Sequence, residues 1–152
     1  MMNPVEAPVS VTSVKRVVHA TDLTEGCASA LAWSIRFAIV NNAEIVLLHV
    51  VPPPTPIFEA ESAAICEAKL KLSLLLGAVK RHNVRARGFV LRGTTSIDRQ
   101  ILRAASLGHS DLIVIGGHRR GPLSRMLLGS VAARLVTRSH CPVLVVPEVR
   151  SE

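Results

Sequence analysis

Short apolar runs alternate with longer segments of helical periodicity along the chain, and this alternation predicts five β/α units. The expected strands are residues 16–21, 44–51, 84–91, 111–115 and 141–146, and the expected helices are about 24–40, 57–82, 96–107 and 127–138. The run at 44–51 is apolar almost throughout, as a strand buried on both faces must be. Strands that alternate with helices are typical of an α/β fold with a parallel sheet.

Two segments change this picture locally. Residues 84–91 alternate polar and apolar side chains, so we expect a half-exposed strand near a sheet edge. Residues 1–13 contain two prolines and no period, which predicts a mobile tail before a single domain at 14–149. In the first helix, the expected apolar stripe is Ala28, Leu31, Ala32, Ile35 and Ala38, with Asp22 or Thr24 as the cap.

Composition restricts the class of partner. The chain is 49% hydrophobic but only 3% aromatic, which favours a core of Val, Ile, Leu and Ala. Its formal net charge of +7 favours anionic partners. With no Tyr, one Trp and three Phe it has few stacking platforms, and it has no nucleic-acid reader motif, so the sequence argues against nucleic acid.

The cysteines and histidines indicate the compartment and argue against a metal centre. Three widely spaced cysteines and the absence of a leader pattern predict a reduced, cytoplasmic protein. No apolar run reaches the length of a membrane span. His19 and His49 lie inside apolar strands and are expected to be core or near-core residues, because nothing pairs them at metal-site spacing.

The clearest chemistry lies in residues 113–130, where an apolar run opens into a glycine-rich basic loop that closes on Gly129 and Ser130. A helix start offers unpaired N–H groups and the positive end of the peptide dipole, so it stabilises phosphate. Glycine lets the backbone approach such a ligand closely. The charge of the loop also suits an anion, since it carries His118, Arg119, Arg120 and Arg125.

Five short segments carry a resemblance to a known family. They read VVHATD at 17–22, IVLLHV at 45–50, DLIVIG at 111–116, LLGS at 127–130 and SHCPVLVV at 139–146. In this order and spacing they resemble the universal stress protein family. The resemblance implies an adenine nucleotide alpha-hydrolase-like fold: an open, doubly wound sheet of five parallel strands in the order 3-2-1-4-5, with helices on both faces.

That strand order implies a place for the ligand. Ligands of open parallel sheets bind beyond the C-terminal ends of the strands, where the winding direction reverses. Here the reversal falls between the first and fourth strands. Asp22 and Gly116 are therefore expected to face each other across one crevice.

Nucleotide-binding members of the family carry a G-x2-G-x9-G-[ST] loop whose backbone and hydroxyl hold the phosphates of ATP. Gly116, Gly129 and Ser130 match this pattern, but Arg119 stands at the second glycine. A side chain costs about 1–2 kcal/mol where φ is positive. Three interpretations stay open: the neighbouring glycines absorb the turn, the Arg119 guanidinium binds phosphate, or Arg119 abolishes nucleotide binding.

The resemblance further implies roles for individual residues. Asp22 and the backbone of Ala20 and Thr21 would lie beside the ribose or adenine, Val50 would offer its main chain to the adenine edge, and His118 would flank the phosphates. The predicted nucleotide-binding residues are Ala20, Thr21, Asp22, Val50, Gly116, Gly117, His118, Arg119, Gly129, Ser130 and Val131. The expected ligand is ATP, with AMP, ADP or cyclic AMP as alternatives, and Mg²⁺ would arrive with the nucleotide.

Several of these residues also have a purely structural interpretation. Asp22 fits a helix cap, Gly116 and Gly117 fit a tight strand exit, and Ser130 fits the cap of the next helix. Arg134 and Arg138 are expected on a solvated helix face. The motifs G-x-S-x-G, H-E-x-x-H and G-x4-G-K-[ST] are absent, so no catalytic residue is assigned and slow ATP hydrolysis is the most the sequence supports.

The last strand predicts an assembly. An edge formed by Val143, Leu144, Val145 and Val146 would recruit a partner, and the resembling family commonly pairs through this strand. With this edge, the resemblance implies a homodimeric stress-response or signalling module that binds adenine nucleotide and acts on a protein partner; the sequence does not identify that partner. A dimeric scaffold without nucleotide and a weak ATPase are the alternatives.

Overall fold

The computed structural model describes residues 13–52, 58–117 and 128–149. The strands are β1 (Arg16–Ala20), β2 (Glu44–Val51), β3 (Ala86–Arg92), β4 (Leu112–Gly117) and β5 (Val143–Pro147). The helices are α1 (Ala28–Asn41), α2 (Phe58–Lys80), α3 (Ile97–Leu107) and α4 (Ser130–Arg138), and a 3₁₀ turn at Glu25–Cys27 precedes α1. All nine predicted elements are present, with bounds that differ by a few residues. Residues 1–12 lie outside the described part, so the expected tail stays a prediction, as does the single domain at 14–149.

The five strands form one parallel sheet in the order β3-β2-β1-β4-β5, which confirms the predicted topology. The edge position expected for the third strand is also confirmed, and β5 forms the opposite edge. Edge β3 carries two cations, Arg87 and Arg92, whereas β5 has no charged residue.

Two apolar layers cover the faces of the sheet. On one face Val17, Ile45 and Leu47 pack with residues of α1 and α2. On the other face Val18, Leu48 and Ile113 pack with Ile101 of α3 and Leu135 of α4. Helices therefore lie on both faces, as predicted, and the C-terminal ends of β1 and β4 meet where the winding reverses.

The apolar stripe predicted for α1 is wrong in part. Ala38 is buried, but Ala28 and Ala32 are exposed, and the buried positions are Ala30, Ser34 and Ala38. The helix begins later than expected, because the 3₁₀ turn places Cys27 at its N-cap. The polar Ser34 belongs to the stripe because it pairs with a buried histidine of β1.

That histidine is His19, which is fully buried as expected of a core residue. Ser34 donates its hydroxyl hydrogen to the Ala30 carbonyl at 3.0 Å, so its oxygen accepts from His19 Nδ1 at 3.1 Å. Nε2 then carries the lone pair, and it has no hydrogen-bond partner among the described residues. Burial lowers the pKa of His19 to about 4, against a smaller opposing effect of Asp22.

Candidate functional site

A cavity of about 470 Å³ opens beyond the C-terminal ends of β1, β2 and β4. The starts of α3 and α4 close its other side. It is lined by Ala20, Thr21, Asp22, Cys27, Leu48, His49, Val50, Pro52, Ile97, Ile101, Ile115, Gly116, Gly129, Ser130, Val131 and Ala132. Its place is the topological switch point, where open parallel sheets bind ligands.

Eight of the eleven residues predicted for nucleotide binding lie together in this wall: Ala20, Thr21, Asp22, Val50, Gly116, Gly129, Ser130 and Val131. Gly117 ends β4 and does not line the cavity; its carbonyl accepts a hydrogen bond from the Glu148 N–H at 3.3 Å. His118 and Arg119 lie outside the described residues. The structure thus brings most of the predicted set to one place, and its role in binding stays a prediction.

Asp22 orders the turn that follows β1. Its Oδ1 accepts hydrogen bonds from the backbone N–H of Thr24 at 2.9 Å and from the Thr24 hydroxyl at 2.6 Å. The expectation that Asp22 or Thr24 caps α1 is wrong: α1 begins at Ala28 behind Cys27, and Thr24, at the start of the 3₁₀ turn, makes no side-chain cap bond. The carboxylate instead stays at the cavity wall.

Cys27 is a wall residue that the sequence analysis missed. Its thiol donates to Asp22 Oδ1 at 3.0 Å, and the side chain is buried. It also lies beside β4, since a Cβ added at Gly116 would be 3.6 Å from the sulfur. Burial, with a contribution from the Asp22 hydrogen bond, raises the pKa of the Cys27 thiol. No motif pairs this cysteine with another residue, so the sequence offered no signal for it.

The start of α4 supplies backbone donors to the cavity. Gly129 is the N-cap and Ser130 the first helical residue, so the expectation that Ser130 caps the helix is wrong by one position. The first intrahelical bond of α4 runs from Ala133 N–H to the Gly129 carbonyl. The N–H groups of Ser130, Val131 and Ala132 therefore precede the helical ladder, and all three residues line the cavity.

Apolar side chains form the remaining wall. Leu48, Ile97, Ile101 and Ile115 surround the space next to the polar groups. Their apolar surface suits a planar, uncharged group, since ligand pockets combine mostly apolar lining with a few placed polar groups. The cavity therefore has an apolar part between β2 and α3 and a polar part at α4.

His49 also lines the cavity, a position that the sequence analysis did not predict. Its ring is half-buried, and its Nδ1 lies 2.8 Å from the Thr21 carbonyl. It is thus a near-core residue with a satisfied Nδ1, as expected, but it faces the candidate site as well.

An ion pair fixes α4 against α3. Asp98 on α3 is 1% exposed, and its carboxylate oxygens lie 3.4 Å from Arg134 Nη1 and 3.8 Å from Arg138 Nη1. The solvated face expected for these two arginines is therefore wrong in part: their side chains are half-exposed, but both reach a buried carboxylate. This contact holds the helix whose start forms the polar wall.

No described residues form a group of three or more His, Cys, Asp or Glu that could hold a metal ion. No helix in the described ranges is long and apolar enough to cross a membrane. The three cysteines are unpaired.

Comparison with known proteins places the chain among its relatives. The model of the universal stress protein family matches residues 13–147. Universal stress protein MJ0531 of Methanocaldococcus jannaschii is 30% identical over 146 residues, which cover 91% of this chain and 85% of that protein. The alignment with this relative therefore spans most of the chain.

Solved structures share the fold. The structure of MJ0577 superposes with a TM-score of 0.75 at 26% identity, covering 92% of this chain and 100% of that one. A universal stress protein from Archaeoglobus fulgidus, solved in complex with dAMP, gives a TM-score of 0.71 at 19% identity and covers 89% of this chain and 99% of that one. At that identity the second likeness establishes the fold alone.

Proposed function

Because the chain belongs to the universal stress protein family, we propose that it binds an adenine nucleotide in the cavity beyond β1 and β4 and serves as a stress-response or signalling module. The observation that carries the proposal is the composition of that one cavity. It joins an apolar part, the Asp22 carboxylate and the start of α4 within about 470 Å³. These are the surfaces that a base, a ribose and a phosphate require.

The residues present fit the parts of a nucleotide. The base would lie among Leu48, Ile97 and Ile101, with the Val50 main chain at its edge. The phosphates would lie at Gly129 and Ser130, where no atom in the described part of the chain comes within 4 Å of a Cβ added at Gly129. The predicted phosphate contacts of His118 and Arg119 remain part of the proposal.

ATP is the nucleotide we favour, because the net charge of +7 and the basic loop suit a polyphosphate. AMP, ADP and cyclic AMP are alternatives, and the A. fulgidus relative was solved in complex with dAMP. Mg²⁺ would be held through the phosphates, since the described residues offer no ligand cluster of their own. The proposal includes no catalytic step.

Calorimetric titration with ATP and Mg²⁺ tests the proposal, with Gly129→Asp and Gly129→Ala as a matched pair. Gly129 has φ −61°, so both side chains fit the backbone, and no atom of the described residues lies within 4 Å of its Cβ position. We expect the carboxylate of Gly129→Asp to abolish phosphate binding and Gly129→Ala to retain it. Absence of binding by the unmodified protein would refute the proposal and favour the scaffold alternative.

We further propose a cytoplasmic homodimer that pairs through β5. Val143, Leu144 and Val145 are half-buried and Val146 is buried, and β5 is an edge strand without charge. Pairing two such edges would satisfy their open backbone groups. We expect light scattering at micromolar concentration to give the mass of a dimer. Val145→Lys should lose the dimer, whereas Val90→Lys on the other edge should keep it. A monomer throughout that range would refute it.

A further inference from the structure

The hydrogen-bond ladder between β1 and β2 stops at the edge of the cavity. Its last rung runs from Thr21 N–H to the Leu48 carbonyl at 2.9 Å. In a parallel pair, the next two rungs would join Val50 N–H to the Thr21 carbonyl and Leu23 N–H to the Val50 carbonyl. Within the described ranges, neither of these backbone bonds is made. Val50 therefore directs a donor and an acceptor toward β1 that the sheet does not use.

Two side chains form hydrogen bonds with the backbone groups that would otherwise pair with Val50. His49 Nδ1 lies 2.8 Å from the Thr21 carbonyl, and because a carbonyl only accepts, the ring is the donor. Thr21 Oγ1 accepts from Leu23 N–H at 3.0 Å. Leu23 has φ 63°, which turns the chain away from β2 after this bond. The acceptor and the donor that would extend the ladder are thus both diverted.

We propose that His49 and Thr21 are positioning residues, which keep the N–H and the carbonyl of Val50 free of sheet hydrogen bonds. These two groups can then bind a heterocycle whose edge carries a hydrogen-bond acceptor beside a donor. This inference rests on the proposed function, and adenine presents such an edge in N1 and its 6-amino group. Val50 is 6% exposed and lines the cavity. An unpaired main-chain group at so little exposure is costly, so a ligand that pairs with it is favoured over one that does not.

Hydrogen exchange without ligand tests the mechanism directly. In His49→Phe the Thr21 carbonyl loses its side-chain donor, so β1 and β2 should pair one residue further. We expect exchange at the Val50 amide to slow about fivefold or more in that variant. His49→Asn, whose amide takes the place of Nδ1, should keep the rate of the unmodified protein. Equal rates at Val50 in His49→Phe and the unmodified protein would overturn the proposal.

Ligand titration then separates base recognition from general loss of structure. We expect His49→Phe to weaken the binding of ATP about fivefold or more and to leave the affinity for inorganic tripolyphosphate unchanged. The variant should also lose the preference for ATP over purine riboside triphosphate, which lacks the amino group. His49→Asn should restore that preference. Thr21→Val removes the acceptor of the Leu23 N–H and should have the same effects on binding as His49→Phe. It replaces His49→Phe in the test if that variant does not fold.

Two results contradict the inference at this stage. Equal weakening of ATP and tripolyphosphate would make the role of His49 merely structural. Unchanged ATP affinity in both His49→Phe and Thr21→Val would remove any role in binding. If no nucleotide binds the unmodified protein, the proposed function fails, while exchange at Val50 still decides whether His49 holds the ladder open.

Discussion

The thiol of Cys27 donates a hydrogen bond to the carboxylate of Asp22 at 3.0 Å and so ties the turn after β1 to the start of α1. Both residues lie in the cavity wall. The carboxylate also raises the thiol pKa, in addition to the larger effect of burial. One consequence of this contact can be measured.

Cys27 is expected to react slowly with thiol reagents, because the reactive species is the thiolate and a raised pKa makes it scarce. Alkylation followed by mass spectrometry at pH 8 should modify the exposed Cys66 first. Asp22→Asn should accelerate modification of Cys27 relative to Cys66. Modification of Cys27 at the rate of Cys66 in the unmodified protein would contradict this assignment.

His19 should make the fold sensitive to mild acid. Its folded pKa of about 4 lies below the ordinary value of 6.5, so between these values the unfolded chain takes up a proton that the folded chain excludes. The folded state therefore has its full stability above about pH 6.5. As the pH drops toward 4, this shift lowers the free energy of unfolding by about 3 kcal/mol. Urea denaturation at pH 7 and pH 4.5 measures it.

The matched control is His19→Asn, which retains a donor for Ser34 but does not titrate in this range. It should be less stable at pH 7 yet lose less stability on acidification. An equal loss in both proteins would assign the acid sensitivity to other groups.

Asp98 is expected to contribute more to stability than either arginine that faces it. Its carboxylate is 1% exposed, whereas Arg134 and Arg138 are 51% and 55% exposed. Asp98→Ala should cost about 1–3 kcal/mol, because both arginines lose their carboxylate partner, the first turn of α3 loses its acidic residue, and a cavity is left at a buried position. Arg134→Ala should cost less than about 1 kcal/mol, since Arg138 remains and solvent screens the pair. Urea midpoints of the two variants give the comparison, and the reverse order would refute it.

Glu44 should add acid sensitivity in a lower range. Burial tends to raise its pKa, but hydrogen bonds from Arg87 and Arg16 outweigh burial and hold the pKa below its ordinary value. A lowered pKa contributes stability above the unfolded value of 4.5 that is lost as the pH falls below it. Thermal unfolding of Glu44→Gln should therefore show a deficit at pH 7 that shrinks at pH 3. A deficit that is constant with pH would contradict the assignment.

The periodicity of the sequence predicted the elements, and the resemblance predicted their order in the sheet. Continuous apolar runs such as 44–51 identify buried strands, and the resulting β2 spans Glu44–Val51 as expected. The predicted starts of the helices are less accurate, because helix caps depend on local hydrogen bonds. Asp22, for example, bonds into its own turn and to Cys27, and α1 begins five residues after Leu23.

The candidate site divides in the same way. Asp22, Gly116 and Gly129 were found from motif spacing, which records their order along the chain. Cys27 and His49 were not assigned to the site, because their contacts arise only when the turn after β1 folds back on the sheet. The diverted rungs at Val50 are invisible in a sequence, since they depend on which partner each backbone group selects.

The two edges of the sheet differ in what they permit. Cations at β3 oppose the approach of a second β3 edge, whereas the uncharged β5 presents no such barrier. If two β5 strands pair as proposed, each molecule is joined once by that edge, and assembly ends at the dimer. Fibre formation by sheet extension would need both edges, so the arginines of β3 are expected to limit polymerisation at high concentration.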